Sequence, residues 1–108
     1  MRILTALLAV LLSGATFIAY AADDVAAEAL AKKSKCFACH SVDKKKDGPA
    51  FKEVAAKYKG KPDAEKTLYT HLTTNPKVKV DGKEEAHDNL KTTNDAEIKN
   101  VIAWILSR

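Results

Sequence analysis

The sequence predicts an all-α domain on three observations. Apolar residues recur at helical spacing in two separate segments, one in the middle of the chain and one near its end. The first stripe is Phe51, Val54, Ala55 and Tyr58, and the second is Ile98, Val101, Ile102 and Ile105. Gly60 and Pro62 lie between them and mark a break between helices. No strand-like alternation surrounds residues 36–40, so we expect about four short helices.

The first helix is predicted to begin at residue 23 or 24. Asp23 or Asp24 can accept hydrogen bonds from the free N–H groups of a first helical turn. The apolar positions of this helix are Val25, Ala26, Ala29 and Leu30. We expect the lysines within residues 32–35 to end it, because positive charge is favourable at the negative end of a helix dipole.

The helix with the middle stripe is predicted to end within residues 59–62, which read Lys-Gly-Lys-Pro. Asp63 is then expected to cap a third helix, which ends before Pro76. The apolar side of this third helix is Leu68, Tyr69 and Leu72.

Residues 76–93 show neither a helical nor a strand period, and Gly82 interrupts them. We expect a long irregular loop, whose length in so small a domain indicates either function or disorder. Asn94 is predicted to cap the last helix, with Glu97 three residues later as its capping-box partner. Trp104, beside the last apolar stripe, is expected in the core.

Cys36, Cys39 and His40 form the pattern C-x-x-C-H. Two thiols three positions apart lie about one helical turn from each other, so both can reach the two vinyl groups on one porphyrin edge. The histidine directly after the second cysteine is then held beneath the ring, where its imidazole can bind iron. The pattern predicts one covalent haem c, with thioethers at Cys36 and Cys39 and His40 as the proximal iron ligand.

Two other interpretations of the cysteine pair fit less well. A thioredoxin-like C-x-x-C belongs near a βαβ pattern, and none is seen here. A Cys₂His₂ zinc site needs two histidines about three to five residues apart. His71 and His87 lie much farther apart than that, and His40 adjoins Cys39.

Residues 1–22 are predicted to be a cleaved secretory signal peptide, followed by a single domain at residues 23–108. Arg2 precedes an apolar run, and Ala19 and Ala21 are the small residues that a signal peptidase reads, so we expect cleavage after Ala21 or Ala22. The apolar run is shorter than the ~20 residues that span a bilayer, so no membrane span is expected after cleavage. In a bacterium, the protein would be periplasmic.

The full chain carries a net charge of +4, which becomes +3 when Arg2 leaves with the leader. Lysines crowd the first half of the domain, and several of them flank the C-x-x-C-H pattern: Lys32, Lys33, Lys35, Lys44, Lys45, Lys46, Lys52, Lys57 and Lys59. They predict redox partners with an acidic docking surface. Nucleic acid is not expected as a partner, because no aromatic residues interleave with the basic cluster.

The chain resembles the small bacterial class I c-type cytochromes over essentially all of residues 23–108. The resemblance rests on the leader, an N-terminal helix entering C-x-x-C-H, the segment Gly-Pro-Ala-Phe at residues 48–51 with residues 52–57 after it, and a final helix containing Trp104. It implies a fold of about four short helices around one covalent haem. It also implies that the Pro49 carbonyl accepts a hydrogen bond from the second nitrogen of His40, which orients the ring and raises its basicity.

One departure from that family concerns the sixth iron ligand. Most of its members use a methionine in the loop before the last helix, whereas this sequence has one methionine, Met1, which leaves with the predicted leader. A methionine-ligated haem is therefore not expected. His87 is the preferred distal ligand, because it lies in the 77–93 loop, close to where the methionine of the family falls. The alternatives are His71, Lys83, Lys91, Asn89 or an open position.

These residues predict a periplasmic one-electron carrier and not an enzyme. Two imidazoles donate more electron density to iron than a histidine and a methionine do, so a lower reduction potential than that of methionine-ligated relatives is expected. Nothing in the sequence demands more than a monomer. Two other functions stay open: an open-site haem protein that binds small gases, or the haem subunit of a larger periplasmic oxidoreductase.

Overall fold

The computed structural model of the chain describes residues 22–108. Its elements are α1 (Asp24–Lys33), a 3₁₀ turn (Cys36–Ala38), α2 (Phe51–Tyr58), α3 (Ala64–Thr73), β1 (Lys77–Val80), β2 (Lys83–Ala86) and α4 (Asp95–Leu106). All four predicted helices are present. The predicted leader and its cleavage site lie outside the described residues, apart from Ala22. No helix within residues 22–108 has the length and apolar character needed to cross a membrane.

Both ends of α1 follow from local chemistry. The Asp23 side chain accepts a hydrogen bond from the Ala26 N–H, which confirms Asp23 as the cap. Lys32 and Lys33 occupy the last turn, as predicted. Lys35 then adopts a left-handed backbone with φ of 62°. This residue turns the chain out of the helix and directly into the 3₁₀ turn.

Neither α2 nor α3 begins with a side-chain cap. In α2 the backbone N–H groups of Phe51 and Lys52 instead donate to the carbonyls of Ser41 and Val42, at 2.9 and 3.0 Å. These two bonds fasten the loop after His40 to the start of α2. The prediction that the Asp63 carboxylate caps α3 is wrong, because its side chain accepts no capping hydrogen bond.

The expectation of an irregular loop over residues 76–93 is also wrong for its first half. β1 and β2 form an antiparallel hairpin in which Lys77 pairs with Ala86 and Val80 with Lys83. The two residues between the strands, Asp81 and Gly82, have φ of 50° and 79°. Positive φ at both central positions is the requirement of a type I′ turn, whose twist matches that of the two strands.

Asn94 caps α4 as predicted, since its side chain accepts from the Glu97 N–H at 3.0 Å. In a capping box the Glu97 side chain would also accept directly from the Asn94 N–H, but here that contact is indirect. The Asn94 N–H donates to the Thr92 hydroxyl, which donates in turn to the Glu97 carboxylate. The hydroxyl thus relays the contact that a capping box makes in one step.

Helix α4 is the centre of the core, and α1, α2 and α3 all pack against it. Its most deeply buried side chains are Ile98, Val101, Ile102 and Trp104. The Asn100 side chain ties α4 to the start of α1, accepting from the Asp23 N–H and donating to the Asp23 carbonyl. Trp104 therefore lies in the core, as the sequence predicted.

Candidate haem-binding site

The two cysteines lie on the 3₁₀ turn that follows α1. In a 3₁₀ helix, side chains three residues apart eclipse each other, so Cys36 and Cys39 project from the same side. The backbone N–H groups of Cys39 and His40 both donate to the Cys36 carbonyl, at 3.2 and 2.9 Å. Both thiols are free, and burial raises the pKa of Cys36. The turn thus presents two free thiols and places His40 directly beside them.

Three contacts orient the His40 imidazole. Its Nδ1 donates to the Pro49 carbonyl at 2.7 Å, which is the hydrogen bond that the resemblance implied. The Phe51 ring stacks on it, with centroids 5.0 Å apart and an interplanar angle of 21°. On the Gly48 side the ring lies so close that a β-carbon at Gly48 would stand 2.8 Å from Nδ1 and 3.0 Å from Nε2. With Nδ1 engaged, Nε2 is the nitrogen left for a ligand.

A cavity of about 610 Å³ opens beside the two thiols and His40. Such a volume falls within the range of about 300–1,000 Å³ that is typical of pockets for small molecules and cofactors. Its apolar lining comes from all four helices and the hairpin: Ala31, Phe51, Val54, Leu68, Leu72, Val78, Val80, Val101, Trp104 and Ile105. A large apolar group fits here, with the thiols at its edge.

His87 lines this cavity from the segment that follows β2. Its ring centroid lies 6.2 Å from that of His40, with an interplanar angle of 51°. An imidazole nitrogen binds a metal at about 2.0 Å, so two rings at this spacing could both reach one metal ion between them. The two histidines are therefore candidates to hold one bound group.

The other predicted candidates are placed differently. His71, on α3, lines the cavity but packs on His87, with ring centroids 4.4 Å apart. Lys83 is an exposed residue of β2 and does not line the cavity. Asn89 and Lys91 line a separate surface groove, where the Asn89 side chain accepts from the Asn75 N–H. Of the alternatives to His87, only His71 lies near the site.

Burial lowers the pKa of both His71 and His87, and the nearby imidazole of His40 lowers both further. The neutral form of each ring is therefore favoured at neutral pH. A neutral imidazole keeps the nitrogen lone pair that a metal ligand requires.

Two buried polar atoms in the cavity wall have no hydrogen-bond partner among the described residues, His87 Nδ1 and Trp104 Nε1. An indole N–H can only donate, so Trp104 offers a buried donor to an acceptor on a bound group. Together with two thiols, two facing imidazoles and an apolar wall, this donor set fits a covalently attached iron porphyrin with carboxylate side chains.

Sequence reasoning missed one residue at this site, Gly48. Its role is to make room for the His40 ring, and the Gly-Pro dipeptide directly before α2 was the signal available. The sequence does not distinguish a glycine that makes room for a neighbouring side chain from a glycine that allows a turn.

The fold and the site together define an all-α protein built to hold a covalent haem. The family model described as Cytochrome c matches residues 25–108. Cytochrome c-551 of Pseudomonas aeruginosa is 37% identical over 103 residues, which cover 95% of each chain. Cytochrome c-551 of Stutzerimonas stutzeri is 45% identical over 80 residues, 74% of each chain.

Solved structures agree with these sequence matches. The crystal structure of the class 1 cytochrome MtoD from Sideroxydans lithotrophicus ES-1 is 50% identical, with a TM-score of 0.77, and the match covers 81% of this chain and 97% of that one. Cytochrome c552 of Nitrosomonas europaea is 35% identical, with a TM-score of 0.58, over 74% and 96% of the two chains. The chain belongs to the cytochrome c family, with the class I fold. It is a small monohaem c-type cytochrome that binds haem c and transfers electrons, not an enzyme.

The contact between Gly48 and His40 predicts a specific effect of Gly48→Ala. The added methyl group would collide with the imidazole and displace it, because the ring is already held by Pro49 and Phe51. We expect the purified Gly48→Ala holoprotein to show altered optical and EPR spectra, together with a lower yield.

Gly60→Ala is the matched control, because nothing lies within 4 Å of a β-carbon there. The backbone at Gly60 has a positive φ of 75°, so this variant should lose about 1–2 kcal/mol of stability with unchanged spectra. If Gly48→Ala keeps the wild-type spectra, as Gly60→Ala is expected to, the Gly48 contact does not position His40.

Proposed function

We propose that the chain is a one-electron carrier whose haem iron is bound by His40 and His87, with thioether bonds to Cys36 and Cys39. The observation that supports this most directly is the 6.2 Å spacing of the two imidazole rings across the cavity. When bound, the haem supplies reversible one-electron chemistry at its iron. The protein supplies two fixed axial nitrogens and an apolar surrounding.

Removal of residues 1–22, proposed below, would leave no methionine for the distal position. The chain contains one methionine, Met1, which lies in the predicted leader, and residues 22–108 contain none. A second imidazole in its place donates more electron density and favours the ferric state. We therefore propose a lower reduction potential than that of methionine-ligated relatives.

Four variants test the ligand assignment. His87→Ala should convert low-spin iron to high-spin and let the reduced protein bind carbon monoxide, because it removes the ring that faces His40. His71→Ala should remain low-spin and closed, because His71 touches His87 and not His40. EPR and optical spectra before and after addition of carbon monoxide measure both effects.

The double variant His71→Ala/His87→Ala is needed because the two rings are only 4.4 Å apart. If His87→Ala stays low-spin but the double variant does not, His71 replaces the lost ligand. If His71→Ala alone turns high-spin, His71 is the native ligand and the assignment to His87 is wrong. His87→Met should keep the iron low-spin and raise its potential in a redox titration.

Charge near the attachment loop supports docking to acidic redox partners. The cavity lining itself carries both signs, with Lys35, Lys57, Lys79, Asp47, Glu53, Glu85 and Asp88. Exposed lysines lie in the attachment loop and in the segment after it, and we define Lys35, Lys44, Lys45 and Lys46 as the lysine face; Asp43 and Asp47 are also exposed in that segment. Lys46 Nζ also donates to the Phe37 carbonyl at 2.8 Å, which holds this face against the attachment loop.

Neutralising the lysine face should slow electron transfer to an acidic redox protein several-fold at low ionic strength, through weaker electrostatic steering. Lys44→Gln/Lys45→Gln is the test variant, since it leaves the Lys46 hydrogen bond intact. Lys59→Gln/Lys66→Gln removes the same charge elsewhere and serves as the control. Stopped-flow rates at several salt concentrations, with a neutral small mediator in parallel, measure the effect.

Equal slowing by both double variants would show that net charge alone matters. Equal slowing with the neutral mediator would show that the substitutions changed the haem site. Either result would contradict a docking role for the lysine face.

We further propose that the protein is exported to the periplasm as a monomer, after removal of residues 1–22. Intact mass spectrometry of protein expressed in a host able to attach haem c should find a chain that begins at Ala22 or Asp23, plus the mass of one haem. Cys36→Ser/Cys39→Ser should give the bare polypeptide mass, because no thioether can form. A wild-type protein without a covalent adduct would contradict the attachment.

A further inference from the structure

The two proposed iron ligands are oriented in different ways. The His40 ring is fixed through its own nitrogen, since Nδ1 donates to the Pro49 carbonyl. The corresponding nitrogen of His87 is buried and has no hydrogen-bond partner among residues 22–108. The orientation of the His87 ring must therefore come from its backbone and from the packing of His71 against it.

The backbone of His87 is held on both of its polar groups. Its N–H donates to the Pro76 carbonyl at 2.8 Å. Its carbonyl accepts from Asn75 Nδ2 at 3.0 Å. The Asn75 N–H donates to Asn89 Oδ1 at 2.8 Å, so the chain is also fastened two residues beyond His87. We call these three hydrogen bonds the Asn75 clamp.

The clamp connects His87 to the end of α3. Asn75 lies two residues after that helix, and its φ of 46° is in the left-handed region, which asparagine tolerates better than most residues. Just past the clamp, the Leu90 N–H donates to the Leu72 carbonyl of α3 at 3.0 Å. Helix α3 also carries His71. The distal ligand is thus fixed to α3 by its backbone and by its ring.

We infer that Asn75 is a positioning residue for the distal ligand and controls how readily His87 leaves the iron. This inference rests on the proposed bis-histidine ligation. Without the Asn75 side chain, the His87 carbonyl loses its donor, while the Asn75 N–H still donates to Asn89 and the His87 N–H to Pro76. The His87 backbone is then held on one polar group instead of two, so an incoming ligand displaces the ring faster.

Asn75→Gly tests this, because glycine adopts φ of 46° without strain and removes only the side chain. The rate of carbon monoxide uptake by the reduced holoprotein should rise roughly 10- to 100-fold, the usual effect of losing a residue that supports a metal ligand. Asn75→Asp, which cannot donate to the His87 carbonyl, should also accelerate uptake and keeps the test valid if Asn75→Gly does not mature.

Asn100→Ala is the matched control. The Asn100 side-chain amide, like that of Asn75, bonds to backbone, but its two hydrogen bonds, at 2.9 and 3.0 Å, join α4 to α1 at Asp23. Its thermal stability should fall by about as much as that of the Asn75 variants, with carbon monoxide uptake as slow as in the wild type. If Asn100→Ala raises the rate of carbon monoxide uptake as much as the Asn75 variants do, the inference is overturned. It is also overturned if neither Asn75 variant raises that rate.

Failure of the proposed ligation gives a different result. A wild-type protein that is high-spin, or that binds carbon monoxide rapidly when reduced, contradicts the bis-histidine iron and removes the inference with it. A closed, low-spin wild type with unresponsive Asn75 variants leaves the ligation standing and overturns only the role of Asn75.

Discussion

The hydrogen bond from His40 Nδ1 to the Pro49 carbonyl is the contact on which the site depends. It selects Nε2 as the free nitrogen and sets the direction in which that nitrogen points. The bond forms only if the chain returns to His40 within nine residues, and that return is held by the Gly48 N–H donating to the Cys39 carbonyl at 2.7 Å. Phe51 then stacks on the ring and also meets Trp104 edge-on, which links the ligand to the core of α4.

The distal side has a different physical basis. His87 is far from the cysteines in sequence and reaches the cavity only because a hairpin brings the chain back toward the end of α3. A short two-stranded hairpin is marginally stable by itself, so its position depends on what holds its ends. The buried nitrogen of His87 without a partner is also a cost, since an unsatisfied buried polar group destabilises by about 1–3 kcal/mol. The position of His40 is therefore set locally, whereas that of His87 is set by long-range contacts.

This difference explains what the sequence could predict. Local signals were reliable at Asn94, at Asp23 and in the C-x-x-C-H spacing, because each depends on residues within one helical turn. The hairpin was missed because Lys83, Glu84 and Glu85 offer no apolar alternation, although Asp81-Gly82 is a strong turn signal after two spaced valines. His87 was chosen as a candidate from its place in the sequence, but its distance from His40 and its contact with His71 arise only from folding. No local pattern marks Asn75 as a residue that holds His87.

The cavity also relates cofactor attachment to stability. Several buried positions of the helices are alanines, Ala27, Ala31, Ala55 and Ala64, so the helices contribute little apolar volume there. Leu68, Leu72, Val101 and Ile105 are buried and also line the cavity, so a haem bound there would add its own apolar surface to this core. The described domain is small enough that side chains alone give a marginal core. The proposed thioethers at Cys36 and Cys39 would make that burial permanent, so the group that carries the electron would also complete the core on which the position of both imidazoles depends.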